Sequence, residues 1–196
     1  DRYGDYTGFY NVQVAASRDL RTWHRVAHRQ PFLEASPLGA GAYDTQTIIG
    51  PSAPVERDNE LWFYYTGIQH YAFVASGNQP GFDDYRPDKG AVCLAVLRRD
   101  GFVSLDAGES AGKLVTTPFK ASGKSLFVNA QAIGGEVRLA VRDAAQQVVA
   151  RSATLSGDQP RGEIQWTSGS WADLAGQTVT LEIEVQRGEL YSWWVE

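Results

Sequence analysis

The 196-residue chain is 43% hydrophobic and 12% aromatic, with 20 glycines, which is the profile of a folded, turn-rich protein and excludes a disordered one. Its formal charge is −5 and its Lys and Arg residues are scattered singly or in pairs such as Arg98-Arg99, so no basic stripe exists to neutralise phosphates and nucleic acid is not expected as a partner. No apolar run approaches the roughly 20 residues of a membrane-spanning helix, and no membrane partner is expected either.

The first predicted strand is the alternation from Phe9 to Ala16. It breaks at Ser17-Arg-Asp19, where both side chains can bond to backbone amides two residues on, so a turn is expected there. Trp23 follows as a lone tryptophan before polarity resumes. His24 and His28 are four apart, a spacing that shares a face only in a helix, so they do not predict a zinc site in a strand-and-turn segment. Strands are next expected at Tyr43 to Ile49 and Leu61 to Tyr65, with a turn at Arg57-Asp58-Asn59 between them. The stretch from Gly67 to Gly90 is too long for an ordinary connection, and such stretches are usually functional or disordered. Cys93, the only cysteine, sits in the strand Ala91 to Leu97 and reads as a small, buried hydrophobe.

Beyond about residue 100 the alternations become shorter and more regular. Strands are predicted at Lys113 to Thr117, Leu126 to Ala130, Glu136 to Val141, Val148 to Ala153, Thr178 to Val185 and Tyr191 to Val195. Turns are predicted at Arg99-Asp100-Gly101, Ile133-Gly134-Gly135, Ser156-Gly157-Asp158 and Arg187-Gly188. No helical period persists, and Ser170 to Ala175 offers one turn at most. The chain is therefore expected to be all-β, with a boundary at Arg99-Asp100 and an antiparallel β-sandwich over residues 100–196. It contains no methionine and begins with Asp1, which carries the expectation that upstream sequence has been removed.

Three stretches together resemble a known family. "ASRDLRTWHRV" resembles the strand, Ser-x-Asp-x-x-x-Trp turn, strand element of five-bladed β-propeller glycosidases of glycoside hydrolase families 43 and 32 and their relatives. "YDTQTIIGPSAPVERDNELWFYYTG" is similar to the blade that follows, and "CLAVLRRDGFVSLDAGESAGKLVTTPF" to the junction with a C-terminal β-sandwich. The resemblance implies that residues 1–99 form a partial propeller, the end of one blade plus the last blade region. Residues 100–196 would then be an accessory sandwich, and Trp23 would pack across the blade as a spacer. The early inner strand that carries the family's catalytic base or nucleophile would lie upstream. By the same resemblance the chain is the C-terminal portion of a carbohydrate-active protein, a hydrolase only when completed by the missing N-terminal blades. A secreted or periplasmic location and no cofactor are implied. An open ring exposes strand edges and apolar faces, so the expected partners are a carbohydrate ligand and either the N-terminal propeller fragment or another copy of the chain. The alternative is a non-catalytic carbohydrate-binding module.

The resemblance places Asp44 at the start of an inner strand, where Gln46 and Ile48 share its face toward the propeller axis. Glycoside hydrolysis needs two carboxylates, about 5 to 5.5 Å apart for retention or about 6.5 to 9.5 Å for inversion. Asp44 is the candidate catalytic carboxylate, with Glu34 a remote second and a strand-start cap the structural alternative. Gln46, Tyr65, His70, Asp84 and Tyr85 are the expected substrate-binding residues. The loop around Asp84 also brings Asp83, Asp88 and Phe82 close in sequence, a density that suits a sugar rim, a Ca²⁺ ion without EF-hand spacing, or a solvated loop. Strand alternation in the terminal "YSWWVE" sets Tyr191 and Trp193 on one face and Trp194 on the other, for burial or for stacking on a sugar.

Overall fold

A computed structural model describes residues 10–37, 39–45, 47–51, 53–69 and 90–196. The described chain is all-β, built from antiparallel sheets, and divides into two compact units, Asp1–Leu97 and Arg98–Glu196.

In the first unit β1 (Ala15–Ala16) and β2 (His24–Arg25) pair antiparallel, Ala15 opposite Arg25 and Ala16 opposite His24, so the expected strand from Phe9 to Ala16 is strand only at its last two residues, with Tyr10 and Val12 in isolated bridges. Four further strands follow: β3 (Thr47–Ile49), β4 (Val55–Arg57), β5 (Glu60–Ile68) and β6 (Gly90–Arg98). Together they make one sheet in which β3, β4 and β6 all pair with β5. The predicted turn between β4 and β5 is Asp58-Asn59, and Asp58 adopts φ 55°, a left-handed conformation that Asp tolerates better than most residues. Period 2 is clear in β5. Phe63, Tyr65 and Gly67 are buried while Tyr64 between them is exposed, and Phe32 meets Phe63 edge-on at 5.7 Å. The outward Trp62 lies under the Arg57 guanidinium, 4.7 Å from the ring centre.

The second unit contains β7 (Leu105–Ala107), β8 (Gly112–Val115), β9 (Phe119–Lys120), β10 (Leu126–Arg142), β11 (Val148–Ser152), β12 (Leu155–Glu163), β13 (Trp166–Ser168), β14 (Thr178–Gln186) and β15 (Gly188–Val195). The sequence expectation is corrected at two turns. Ile133-Gly134-Gly135 does not separate two strands but bends one, because β10 is continuous over 17 residues. Its first half pairs with β12 and β15, and its second half with β11 and β14. Gly134 takes φ 73° at the corner, and a side chain at Gly135 would sit 2.2 Å from the carbonyl oxygens of Gln186 and Arg187. Ser156-Gly157-Asp158 likewise lies inside β12, since Gly157 pairs with Ala132 and Asp158 with Gln131. Pro160 falls where the β12 register slips against β10, so its missing N–H removes no regular ladder bond.

Alternate residues of both halves of β10 enter a single core. Leu126, Val128, Ala130 and Ala132 from the first half meet Val137, Leu139 and Val141 from the second, closed by Val179, Leu181, Ile183 and Val185 of β14 and Leu190 of β15. The opposite face of β14 is polar, and there Glu182 is held by Lys113 at 2.8 Å and Arg142 at 3.1 Å. Those cations, Lys113 first, lower its pKa against the opposing effect of burial.

At one end of the core Trp171 is 1% exposed, with Trp166 stacked at 6.4 Å and its indole N–H donated to the Ser122 carbonyl at 2.8 Å. Trp171→Ala should lower unfolding stability by about 3 to 5 kcal/mol through the cavity it leaves. Trp171→Phe should cost about 1 to 3 kcal/mol by orphaning the Ser122 carbonyl. Urea denaturation of the two variants beside the parent chain measures both.

Candidate functional site

Asp44 sits in a turn just before β3 and is only 8% exposed. The geometry around it is set by three local features. Tyr65 on the buried face of β5 donates its hydroxyl to Asp44 Oδ2 at 2.7 Å. Thr45 donates its hydroxyl to the Gln69 carbonyl at 3.2 Å, and Gln69 Nε2 donates to the Ala42 carbonyl at 2.9 Å, so the turn is stapled to the end of β5. The third is the absence of a side chain at Gly67. A Cβ there would lie 2.8 Å from Asp44 Cβ and 3.0 Å from Cys93 Sγ.

Burial raises the Asp44 pKa, but the hydrogen bonds from Tyr65 and Ser36 outweigh it and leave the carboxyl below its ordinary value. Burial, followed by the hydrogen bond to Asp44 and then its charge, drives the Tyr65 phenol far above its own ordinary value. The pair is therefore carboxylate and neutral phenol across the physiological range, with the proton on the tyrosine. On β3 the Thr47 hydroxyl, 4% exposed as a residue, has no hydrogen-bond partner among the described residues.

Of the sequence candidates, the structure brings Asp44 and Tyr65 into contact. Gln46, His70, Asp84 and Tyr85 lie outside the described residues, as do Phe82, Asp83 and Asp88. Glu34 is exposed and Cys93 half-buried, its thiol directed to the Ala91 carbonyl at 3.7 Å. Ser36, Thr45, Gly67 and Gln69 were not among the candidates. Only Gly67 carries a sequence signal, since a glycine in a strand interior marks a close approach by another part of the chain.

The Ser17 and Asp19 pair folds a turn, as expected. Asp19 Oδ1 accepts the Arg21 and Thr22 amides at 2.8 Å each and the Ser17 hydroxyl at 3.0 Å. Those bonds, the Thr22 amide first, hold the Asp19 pKa at about 2. Trp23 is 58% exposed and so does not act as a packed spacer within what is described. At the other end, Tyr191 and Trp193 do not share a face. A bulge between Asn129 and Ala130 skips Tyr191 in the pairing with β15, turning it to the Arg98 guanidinium at 4.4 Å while Trp193 packs on Phe119 at 5.3 Å. Trp194, on the opposite face from Trp193, stacks on Phe127 at 5.5 Å.

Comparison of the chain with protein-family models, curated proteins and solved structures finds no match.

Replacing Tyr65 with Phe should raise the Asp44 pKa and lower stability at neutral pH by about 1 to 3 kcal/mol, the cost of an unsatisfied buried group. A carboxyl whose folded pKa is depressed stabilises above its unfolded value, and that contribution fades as pH falls through the folded value. The gap between parent and Tyr65→Phe should therefore narrow on acidification, which denaturation at a series of pH values would register.

Proposed function

We propose that the chain is the C-terminal portion of a carbohydrate-active, glycoside-hydrolase-like protein, contributing Asp44 as a substrate-facing carboxylate and closing the fold of its partner. The observation that supports this most directly is the buried Asp44 carboxylate with the Tyr65 hydroxyl on one oxygen. An ionised, desolvated carboxylate with a fixed orientation is suited to accept a sugar hydroxyl or to stabilise positive charge at an anomeric carbon. It is unsuited to general acid work, which requires a raised pKa. The acid must then come from another carboxyl, supplied by upstream sequence or by a second copy, in keeping with the partners implied by the resemblance.

A non-catalytic carbohydrate-binding module is favoured by one separate observation. The half-buried Trp194 stacks on the buried Phe127 on the sheet face opposite the core, bordered by Arg161 with its paired contact to Glu196 at 2.8 and 2.6 Å. Trp193, which packs against the core, would contribute to such a module only structurally.

Reducing-sugar release from a panel of arabinan, xylan and fructan, by the chain alone and mixed with its upstream segment, separates the two. The hydrolase reading expects Asp44→Asn to lower turnover by about 10³-fold or more, with the fold intact by circular dichroism. Turnover unchanged in Asp44→Asn, or glycan binding without turnover that is lost in Trp194→Ala, would overturn it in favour of the module.

A further inference from the structure

Away from Asp44, the second unit carries a polar row that crosses four strands in register. Asp158 of β12 stands opposite Gln131 of β10, Gln131 opposite Glu189 of β15, and Glu189 opposite Asp106 of β7. Like charges directly opposite on neighbouring strands repel. Asp158 is neutralised by Arg98 at 2.8 Å, whose guanidinium also reaches Asn129 at 2.9 Å and Gln131 at 3.5 Å. Glu189 and Asp106 accept hydrogen bonds from the neutral hydroxyls of Tyr191 and Ser104. Over this half of the row opens a cavity of about 270 Å³, lined by Asp106, Gln131, Ile133, Arg187, Gly188 and Glu189.

The cavity is held in shape by close backbone packing. A side chain at Gly188 would lie 2.8 Å from the Gln131 carbonyl oxygen, and one at Gly135 would strike the Gln186 and Arg187 carbonyls. The Arg187 amide donates to the Gly108 carbonyl at 2.8 Å, and Gln186 Nε2 to the Glu109 carbonyl at 2.7 Å. The β14 to β15 turn is thus fastened on both sides. Its side-chain inventory at the cavity is two carboxylate acceptors, one amide that both donates and accepts, the Arg187 guanidinium, which also lies 3.9 Å from the exposed Glu109 carboxylate, and Ala107 with the exposed Ile133 as an apolar wall. Vicinal hydroxyls, which donate and accept in pairs beside apolar C–H faces, match that inventory.

We propose that this cavity is a carbohydrate subsite distinct from Asp44, taking one neutral sugar unit through Asp106, Gln131, Glu189 and Arg187. It rests on the carbohydrate reading above and adds a second place at which the same ligand class is held. An amide-resolved NMR titration of the full chain with xylotetraose, arabinotriose, cellotetraose and kestose locates binding directly. At least one sugar is expected to shift the amides of residues 105–107, 131–133 and 187–189, and Gln131→Ala and Glu189→Gln should each weaken that binding by about tenfold. Asp44→Asn should leave it unchanged. Shifts confined to residues near Asp44 would overturn the subsite while leaving the carbohydrate reading standing, whereas no shift with any sugar would overturn both. Shifts at the cavity produced by CaCl₂ without sugar, and abolished by Glu189→Gln, would overturn the sugar in favour of a cation. Thermal melts showing both variants folded keep any loss of binding attributable to the removed groups.

Discussion

The second unit depends on one constraint, that β10 must pair on both edges with four long partners over 17 residues while feeding a single core. A flat strand could not do so, because its inward side chains would all face one layer. The bend at Gly134 and Gly135 lets the second half change partners while Val137, Leu139 and Val141 still join the core begun by Leu126, Val128 and Ala130. The close contacts at Gly135 and Gly188 follow from this, since β14 and β15 meet just where β10 turns. Glycine is required at these positions by the approach of another backbone, and at Gly134 by the left-handed φ.

The same register fixes what faces outward. Asn129 is fully buried, so its amide must be satisfied within the protein, and it is: the oxygen accepts from Arg98 and the nitrogen donates to the Arg99 carbonyl. Arg98, stacked over Tyr191 and bonded to Asp158, is committed by the same contacts. The bulge at Asn129 and Ala130 is what allows Tyr191 to reach it. Burial of one amide thus determines the local course of the chain at residues 98–99 and the rotation of an aromatic ring on another strand.

Alternation in the sequence was sufficient to locate most strands, because period 2 reflects burial on one face and needs no knowledge of the partner. It was sufficient for the Asp19 turn and the Asp58 turn, where a local side chain or a tolerated left-handed residue settles the conformation within four or five positions. It failed at Gly134 and Gly157. Glycine allows a turn, a bulge and a close approach alike, and only the ladder to a strand distant in sequence decides among them. For the same reason Tyr191 was set on the wrong face, since the bulge that moves it, with Tyr191 as the extra residue of β15, shows only in the register of β15 against β10. The Asp44 contact to Tyr65 was half legible: both residues stood out, but their meeting depends on the side chain missing at Gly67.

Asp19 and Asp44 show why a depressed carboxyl pKa alone does not mark a functional group. Asp19 is exposed and held low chiefly by backbone amides of its own turn, so its ionisation is a by-product of closing four residues. Asp44 is desolvated, which by itself would favour the neutral acid, and its net depression comes from a tyrosine 21 positions away and a serine hydroxyl. Holding charge against burial requires those donors to stay in place, since the local backbone amide of Asp44 adds the smallest of the lowering contributions. A turn aspartate would serve equally well as serine or asparagine, whereas a carboxylate kept charged in a buried position is tolerated only where long-range packing enforces it, and that difference separates the two.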